Sequence, residues 1–263
     1  MLGIFDSGLG GLTVLQQLRR RLPSHDITYL ADQAHVPYGD RSPEELRGFI
    51  AENIKFLNDR GAKAIVVACN TSSAVAAKHG WPPSSAPILD LIDNAAEAIA
   101  KLGARRVGVI ATSVTTRSGA YGDAIRARVP GVVVQEVAAP VLVPLVESGH
   151  YNGRAVRAAV DAACEPFSDL DVLVYGCTHY PILDAHFAAI FGKDVVRLDP
   201  AIAQAEATEQ FVQQHGIASG SGATVYATTG DPSAFTAGVR ALLAEEHPHA
   251  VSAREILTRI GNL

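Results

Sequence analysis

The sequence has few cysteines, no excess of basic charge and no long apolar run, and each absence excludes a class of protein. Three cysteines are a small and odd number, so we expect no disulfide scaffold and predict a reducing, cytoplasmic location. The formal net charge of −5 gives no reason to expect nucleic-acid binding. The apolar runs are shorter than a membrane span, and the first residues lack a signal-peptide pattern, so we expect no membrane association.

Short apolar segments alternate with alanine- and leucine-rich segments of helical length along most of the chain. Such alternation predicts parallel α/β sheets with helices on both faces. Hydrophobic residues make up 48% of the chain, which is enough for a substantial core. Nine segments are predicted as strands: 2–5, 26–32, 64–69, 87–91, 106–112, 132–138, 172–176, 194–199 and 224–230.

A weak internal repeat indicates that the chain contains two related halves. The segment LGIFDSGLGG (2–11) resembles VGVIATSVTT (107–116), and each is followed after a similar interval by a strand that ends in a cysteine. We therefore predict an α/β fold of two pseudo-symmetric parallel-sheet domains that face each other across a cleft. The predicted boundaries are 1–92 plus 205–263 for the first domain and 93–204 for the second.

Two cysteines, one in each predicted domain, have the same local setting. Cys69 in AIVVACNTSSA and Cys177 in DVLVYGCTHYP each end an apolar strand and precede small polar residues. Sites in open α/β sheets form beyond the carboxyl ends of strands, where the following helix offers free N–H groups and positive potential. That environment lowers the pKa of a thiol and binds carboxylates. The pattern therefore predicts two reactive thiols that face one small anionic substrate.

The residues alone leave four interpretations of this cysteine pair open. Free cysteines are often buried core residues. A redox pair is disfavoured because there is no C-x-x-C, and a zinc site is disfavoured because Cys177 and His179 have a poor ligand spacing. The fourth interpretation is an acid/base pair on opposite faces of one carbon, in which one thiolate removes a proton and the other thiol delivers one. Cys164 has no polar partner motif, and we expect it to be an unreactive core residue.

Seven motifs occur along the chain in a fixed order: GIFDSGLGG (3–11), PYGDRS (37–42), ACNTSSA (68–74), GVIAT (108–112), PLVESG (144–149), GCTHYPIL (176–183) and TTGD (228–231). This order resembles that of the glutamate racemases of the aspartate/glutamate racemase superfamily, and the resemblance covers nearly the whole chain. It implies a cofactor-independent, metal-free enzyme that interconverts L- and D-glutamate and supplies D-glutamate for peptidoglycan. It also implies a homodimer.

The resemblance assigns roles to individual residues. It implies that Cys69 takes the α-proton from D-glutamate and that Cys177 takes it from L-glutamate. Asp6 matches an auxiliary carboxylate near the first cysteine, whereas His179 and Glu147 match auxiliary groups near the second. Asp6 and His179 also match substrate-binding positions, and the other such positions are Ser7, Tyr38, Gly39, Asn70, Thr71, Thr112, Thr115, Thr116 and Thr178.

Two other functions stay open on the sequence. Another superfamily member would racemise aspartate or a different small acidic substrate, because pocket depth sets the substrate length. A non-enzymatic protein that binds acidic amino acids would not need paired thiols, so the two cysteines disfavour it. The segment GLGG (8–11) lacks the spacing of a dinucleotide fingerprint, which is why we expect no cofactor. We expect instead a closed pocket whose donors stabilise the charge that develops during proton transfer.

Overall fold

The protein folds into two parallel β-sheets flanked by helices. The structure, a computed structural model, describes residues 1–244 and 248–253. Within these residues the strands are β1 Leu2–Asp6, β2 Ile27–Ala31, β3 Ile65–Val67, β4 Ile88–Leu89, β5 Arg106–Ala111, β6 Val133–Ala138, β7 Val172–Gly176, β8 Val196–Leu198, β9 Thr224–Thr228 and β10 Ala250–Ser252. All nine predicted strands are confirmed, and β10 is an additional strand that the sequence did not reveal.

Helices connect most of these strands. They are α1 Leu12–Arg21, α2 Pro43–Asp59, α3 Asn70–His79, α4 Leu91–Leu102, α5 Ser113–Ser118, α6 Ala120–Arg128, α7 Leu142–Glu147, α8 Arg154–Cys164, α9 Asp184–Phe191, α10 Pro200–Gln214 and α11 Pro232–Leu243. Two short 3₁₀ turns, Tyr38–Asp40 and Tyr180–Leu183, lie after β2 and β7. No helix in the described part of the chain combines the length and the apolarity that a bilayer span requires.

The strands divide between a six-stranded sheet and a four-stranded sheet. The first sheet has the order β10-β9-β2-β1-β3-β4, the second has the order β6-β5-β7-β8, and every pairing is parallel. Central strands such as β1 and β7 are buried throughout, as expected when helices cover both faces of a parallel sheet. The predicted fold class, two parallel-sheet α/β units, is confirmed.

Helices α4 and α10 connect the two sheets. The Asn94 amide of α4 donates to Gln204 Oε1 of α10 at 2.6 Å. The Gln204 amide in turn donates to the carbonyls of Val67 (3.0 Å) and Leu89 (2.8 Å), beside the first sheet. The predicted domain boundaries, at residues 92/93 and 204/205, fall inside these two helices. We propose that α4 and α10 form the link between two domains, with the boundaries themselves still a prediction.

The parallel arrangement gathers the loops of each sheet at one edge. In the first sheet, β1 ends at Asp6, β2 leads to the turn Tyr38–Asp40, and β3 leads to Cys69. In the second sheet, Thr112 follows β5 and Cys177 follows β7. Because residues from both sets line one cleft, the carboxyl edges of the two sheets meet there.

Candidate active site

A narrow cleft between the two sheets holds most of the residues that the sequence singled out. Its empty space amounts to about 400 Å³, part of which is open to solvent. Cys69 and Cys177 both line it, and both are buried free thiols. The other lining residues are Asp6, Ser7, Pro37, Tyr38, Gly39, Asp40, Asn70, Thr71, Thr112, Pro140, Val143, Thr178 and His179. The structure thus brings the two cysteine motifs to one place, as the internal repeat suggested.

Asp6 is fully buried at the end of β1 and holds the glycine-rich turn that follows. Its Oδ2 accepts hydrogen bonds from the backbone N–H groups of Gly8 (3.1 Å) and Gly11 (2.8 Å). Its Oδ1 is buried without a partner. Burial raises the pKa of this carboxyl, while His179 and the two N–H groups oppose the effect. Asp6 therefore fixes the turn with Oδ2, while Oδ1 of this cleft-lining residue has no hydrogen-bond partner.

The same turn packs directly against the second sheet's loops. A Cβ at Gly8 would collide with the carboxylate of Glu147, and one at Gly10 would lie 2.5 Å from Thr178 Oγ1 and 2.7 Å from His179 Nδ1. Real Cβ atoms do not approach so closely, so a side chain at either position would displace the side chains that it meets. The glycines of GLGG thus allow close contact between the two halves of the protein.

Cys69 is the N-cap residue of α3, directly after β3. Burial and, next, the nearby Asp6 carboxylate raise the pKa of its thiol to about 12, and hydrogen bonds with Ser72 only partly oppose these two effects. The predicted lowering of the thiol pKa is therefore wrong for Cys69, because loss of solvent and the Asp6 charge outweigh the helix N-terminus. At neutral pH this residue is a neutral thiol, which is the form that delivers a proton.

Cys177 has a different neighbour, an imidazole backed by a carboxylate. His179 Nδ1 lies 3.5 Å from Cys177 Sγ, and His179 Nε2 lies 2.6 Å from Glu147 Oε1. Burial alone would lower the pKa of His179, but Cys177 and Glu147 together raise it well above its usual range. A protonated His179 therefore places a positive charge beside the sulfur of Cys177, with the Glu147 carboxylate on the other side of the ring.

Glu147, at the end of α7, lies behind His179 and outside the cleft lining. Burial would raise the pKa of its carboxyl, but the hydrogen bond and charge of His179 hold that pKa below its usual value. The backbone N–H of Leu9 also donates to Oε1 at 2.9 Å. Glu147 therefore connects the glycine-rich turn of the first half to the imidazole that faces Cys177.

Three threonine hydroxyls join α3 to α5 at the edge of the cleft. Thr71 Oγ1 lies 3.0 Å from Thr112 Oγ1 and 3.3 Å from Thr115 Oγ1, and the last two are 3.0 Å apart. Thr71 and Thr112 line the cleft, whereas Thr115 is fully buried behind them. Thr116, the next residue of α5, lies outside the lining, and its hydroxyl is buried without a partner.

The turn that carries Tyr38 and Gly39 is anchored by a buried carboxylate. Tyr38 donates its hydroxyl to Asp32 Oδ2 at 2.5 Å, and Asn53 Nδ2 donates to the Tyr38 oxygen at 3.0 Å. Thr229, within the TTGD motif, donates to Asp32 Oδ1 at 2.7 Å. The turn also approaches the second half closely, since a Cβ at Gly39 would lie 2.8 Å from the Cβ of Thr112.

The sequence did not single out two further residues that contact this site. The Gln33 side chain lies beside Glu147 and helps to lower the pKa of that carboxyl. Tyr121 donates its hydroxyl to Asn70 Oδ1. Both are contacts between distant parts of the chain, which leave no local pattern to find. Tyr121 does follow the segment 107–116 of the internal repeat, but nothing there marks it as a partner of Asn70.

Cys164 lies apart from the other two cysteines. It is buried on α8 among apolar side chains of the second sheet and does not line the cleft. Burial, followed by the charge of Asp161, raises the pKa of its thiol to about 12. Among residues 1–244 and 248–253, no three His, Cys, Asp or Glu side chains gather as a metal site. The expectation of a metal-free protein stays a prediction.

Comparison with known proteins places the chain in a family. A family model described as Asp/Glu/Hydantoin racemase matches residues 12–208. A glutamate racemase from Deinococcus radiodurans is 41% identical over 254 residues, which cover 94% of this chain and 86% of that protein.

Solved structures agree with this assignment. The crystal structure of a glutamate racemase isoform from Bacillus anthracis matches with a TM-score of 0.89 and 32% identity, covering 96% of both chains. A glutamate racemase from Francisella tularensis, solved in complex with D-glutamate, matches with a TM-score of 0.85 and 31% identity, covering 97% of this chain and 98% of that one. This chain therefore belongs to the Asp/Glu/Hydantoin racemase family and, within it, to the glutamate racemases.

Proposed function

We propose that this protein interconverts L- and D-glutamate in a cofactor-independent reaction, with Cys69 and Cys177 as the acid/base pair. One observation carries the proposal: the two thiols line one narrow cleft, and each has its own charged neighbour. Membership of the glutamate racemases supports glutamate as the substrate. The D-glutamate complex of the Francisella tularensis relative supports it as well.

From L-glutamate, the Cys177 thiolate removes the α-proton and the Cys69 thiol delivers a proton to the opposite face of the same carbon. The C–H bond on the face of the α-carbon toward Cys177 breaks, a new C–H bond forms on the face toward Cys69, and the configuration inverts. His179, held by Glu147, lies 3.5 Å from the Cys177 sulfur, and the raised pKa of Cys69 keeps its proton available. From D-glutamate the same two steps run in reverse.

The reverse direction requires Cys69 to become a thiolate, and the substrate itself supplies the charge for this change. The Asp6 carboxylate beside Cys69 favours the neutral thiol. An amino acid carries a positive ammonium group, and a positive charge near Asp6 offsets the carboxylate and lowers the pKa of the thiol. We therefore assign Asp6 the tuning of Cys69, and His179 with Glu147 the tuning of Cys177.

The developing negative charge on the substrate meets neutral hydrogen-bond donors. The described residues that line the cleft include no lysine or arginine, but they include the side chains of Ser7, Asn70, Thr71, Thr112 and Thr178. We propose that these groups bind the two carboxylates of glutamate. Fixed donors in a pocket that excludes water stabilise an enolate-like carboxylate more strongly than donors in solution.

We also propose the biological setting that the family resemblance implied. The enzyme would act in the cytoplasm, form a homodimer and supply D-glutamate for peptidoglycan. Light scattering of the purified protein tests the dimer, and rescue of a D-glutamate auxotroph tests the supply of D-glutamate.

Polarimetry of the purified protein tests the reaction itself. Each enantiomer of glutamate and of aspartate is supplied in turn without an added cofactor, and we expect both glutamate enantiomers to lose optical rotation. No change with glutamate, or faster change with aspartate, would overturn the proposed substrate.

Deuterium labelling tests the two-base mechanism. In D₂O, a reaction started from L-glutamate should place deuterium at the α-carbon of newly formed D-glutamate, while unconverted L-glutamate keeps its hydrogen at early times. A single base serving both faces would also label the unconverted substrate. Equal early labelling of substrate and product would therefore exclude separate roles for Cys69 and Cys177.

A further inference from the structure

Tyr121 makes a hydrogen bond that connects the two halves of the protein at the cleft. It lies on α6, beyond the second sheet, and its ring is fully buried in the apolar core there. Its hydroxyl donates to Oδ1 of Asn70, the first residue of α3, which follows the first sheet. Burial raises the pKa of Tyr121 well above its usual value, so the phenol stays neutral and keeps its proton.

This hydrogen bond selects one of the two orientations of the Asn70 amide. A neutral phenol has one hydrogen to donate, and Asn70 Oδ1 accepts it here. With the amide reversed, Nδ2 could donate to the phenol oxygen, but the phenol hydrogen would lose this acceptor. With Oδ1 turned to Tyr121, the NH₂ group must point elsewhere. Nδ2 is buried and has no hydrogen-bond partner in the protein, although Asn70 lines the cleft. A buried donor without a partner is costly, so this orientation needs a reason.

We propose that Tyr121 is a positioning residue that holds the Asn70 amide with its NH₂ group toward the bound amino acid, where it donates to a carboxylate oxygen. The proposal rests on the proposed function, because it assumes that an acidic amino acid occupies the cleft. Without the Tyr121 hydroxyl, the amide can turn over and present its oxygen to the carboxylate, which is an unfavourable contact. Tyr121 lies on α6 of the second half and Asn70 on α3 of the first half. The correct orientation of the Asn70 amide therefore also depends on contact between the two halves.

The variant Tyr121→Phe tests this role because it keeps the buried ring and removes only the hydroxyl. Loss of an oriented donor to a charged group should raise KM about tenfold for both enantiomers. The value of kcat should not rise, and it falls as well if the donor faces the carboxylate on which charge develops during proton transfer. A merely structural role would instead lower the melting temperature or the fraction of active enzyme, and would leave KM unchanged.

Tyr175→Phe is the matched control. Tyr175 is also a buried tyrosine of the second half, and its hydroxyl donates to Asp184 Oδ1 at 2.6 Å, outside the cleft lining. This variant loses a comparable hydrogen bond, so we expect a similar effect on stability and a wild-type KM. Equal KM values for the two phenylalanine variants would overturn the proposal.

A double-mutant cycle shows whether Tyr121 acts through Asn70. In an Asn70→Ala background, the further change Tyr121→Phe should leave KM unaltered, because the amide that it orients is gone. Additive effects of the two changes would overturn the proposal.

Calorimetry of D-glutamate binding compares Tyr121→Phe with Tyr175→Phe in the absence of catalysis, when both changes are made in a Cys69→Ala background. There the dissociation constant should rise about tenfold for Tyr121→Phe alone. Equal dissociation constants for the two variants would overturn the proposal. If wild-type protein fails to racemise glutamate, the proposed function fails; if it succeeds and Tyr121→Phe matches Tyr175→Phe, only the positioning role fails.

Discussion

Gly10 lies where the glycine-rich turn meets the loop of the second cysteine, and its replacement by alanine should separate the two halves of the site. Gly10 is not among the glycines with positive φ, so alanine fits the backbone and the effect is steric. The new Cβ would lie 2.5 Å from Thr178 Oγ1 and 2.7 Å from His179 Nδ1. Ordinary contacts begin at 3.4 Å, so the Thr178 and His179 side chains, or the loop that carries them, must shift by up to about 0.9 Å.

A displacement of this size is large for a proton-transfer site. Misplacement of reacting groups by about 1 Å can cost about 100-fold in rate. Because L- and D-glutamate have equal free energies in solution, kcat/KM must fall by the same factor in both directions. We therefore expect Gly10→Ala to lose about 100-fold in kcat/KM. Initial rates from each enantiomer, with thermal unfolding of the same preparation, would measure the loss and show whether the fold persists.

Gly48→Ala provides the control. Gly48 lies within α2, and a Cβ there would have no neighbour within 4 Å. Alanine in a helix is more favourable than glycine by about 0.5–1 kcal/mol, so this variant should be slightly more stable and fully active. A Gly10→Ala protein that retains more than half of the wild-type kcat/KM would refute the argument, since it would show that the halves need not touch at this turn.

The remaining predictions each concern the side chain of one residue. Cys69→Ala and Cys177→Ala should each abolish racemisation with the fold intact, whereas Cys164→Ala should have almost no effect on activity. More than a few per cent of wild-type activity in Cys69→Ala or Cys177→Ala would contradict the two-thiol mechanism. His179→Asn should increase the primary isotope effect with α-deuterated L-glutamate, which loses its proton to Cys177, and decrease it with D-glutamate; changes in the same sense would contradict the pairing of His179 with Cys177. Burial raises the pKa of Asp199 from 3.8 to about 6 in the folded state, so its charge destabilises the fold above pH 6 and costs nothing below 3.8. Asp199→Asn, whose side-chain oxygen can keep the N-cap of α10, should therefore raise the free energy of unfolding at pH 8 by up to about 3 kcal/mol. Below pH 3.8 the gain should disappear. Chemical denaturation at pH 8 and below pH 3.8 measures the difference, and an equal gain under both conditions would show that the carboxyl charge is not the cause.

Most of the fold followed from local patterns in the sequence. Alternation of apolar strands with helical segments predicted nine strands and two parallel sheets, because a buried parallel strand needs a continuous apolar run and a crossover helix. β10 was missed because its three residues, Ala250–Ser252, are too few to form a recognisable pattern. The strand order of each sheet was also unpredicted, since pairing depends on contacts between distant segments.

The sequence by itself indicated that Cys69 and Cys177 lie at one cleft, because each follows a strand whose carboxyl end fixes its place. Only the tertiary structure decided the electrostatic state of those groups. Burial in the assembled fold, together with the Asp6 charge, raises the pKa of Cys69 to about 12, and the hydrogen bonds with Ser72 at the start of its helix only partly oppose this. The contacts of His179 with Glu147, and of Tyr121 with Asn70, likewise join residues far apart in the chain. Desolvation and long-range hydrogen bonds depend on the assembled environment, which no local pattern of residues encodes.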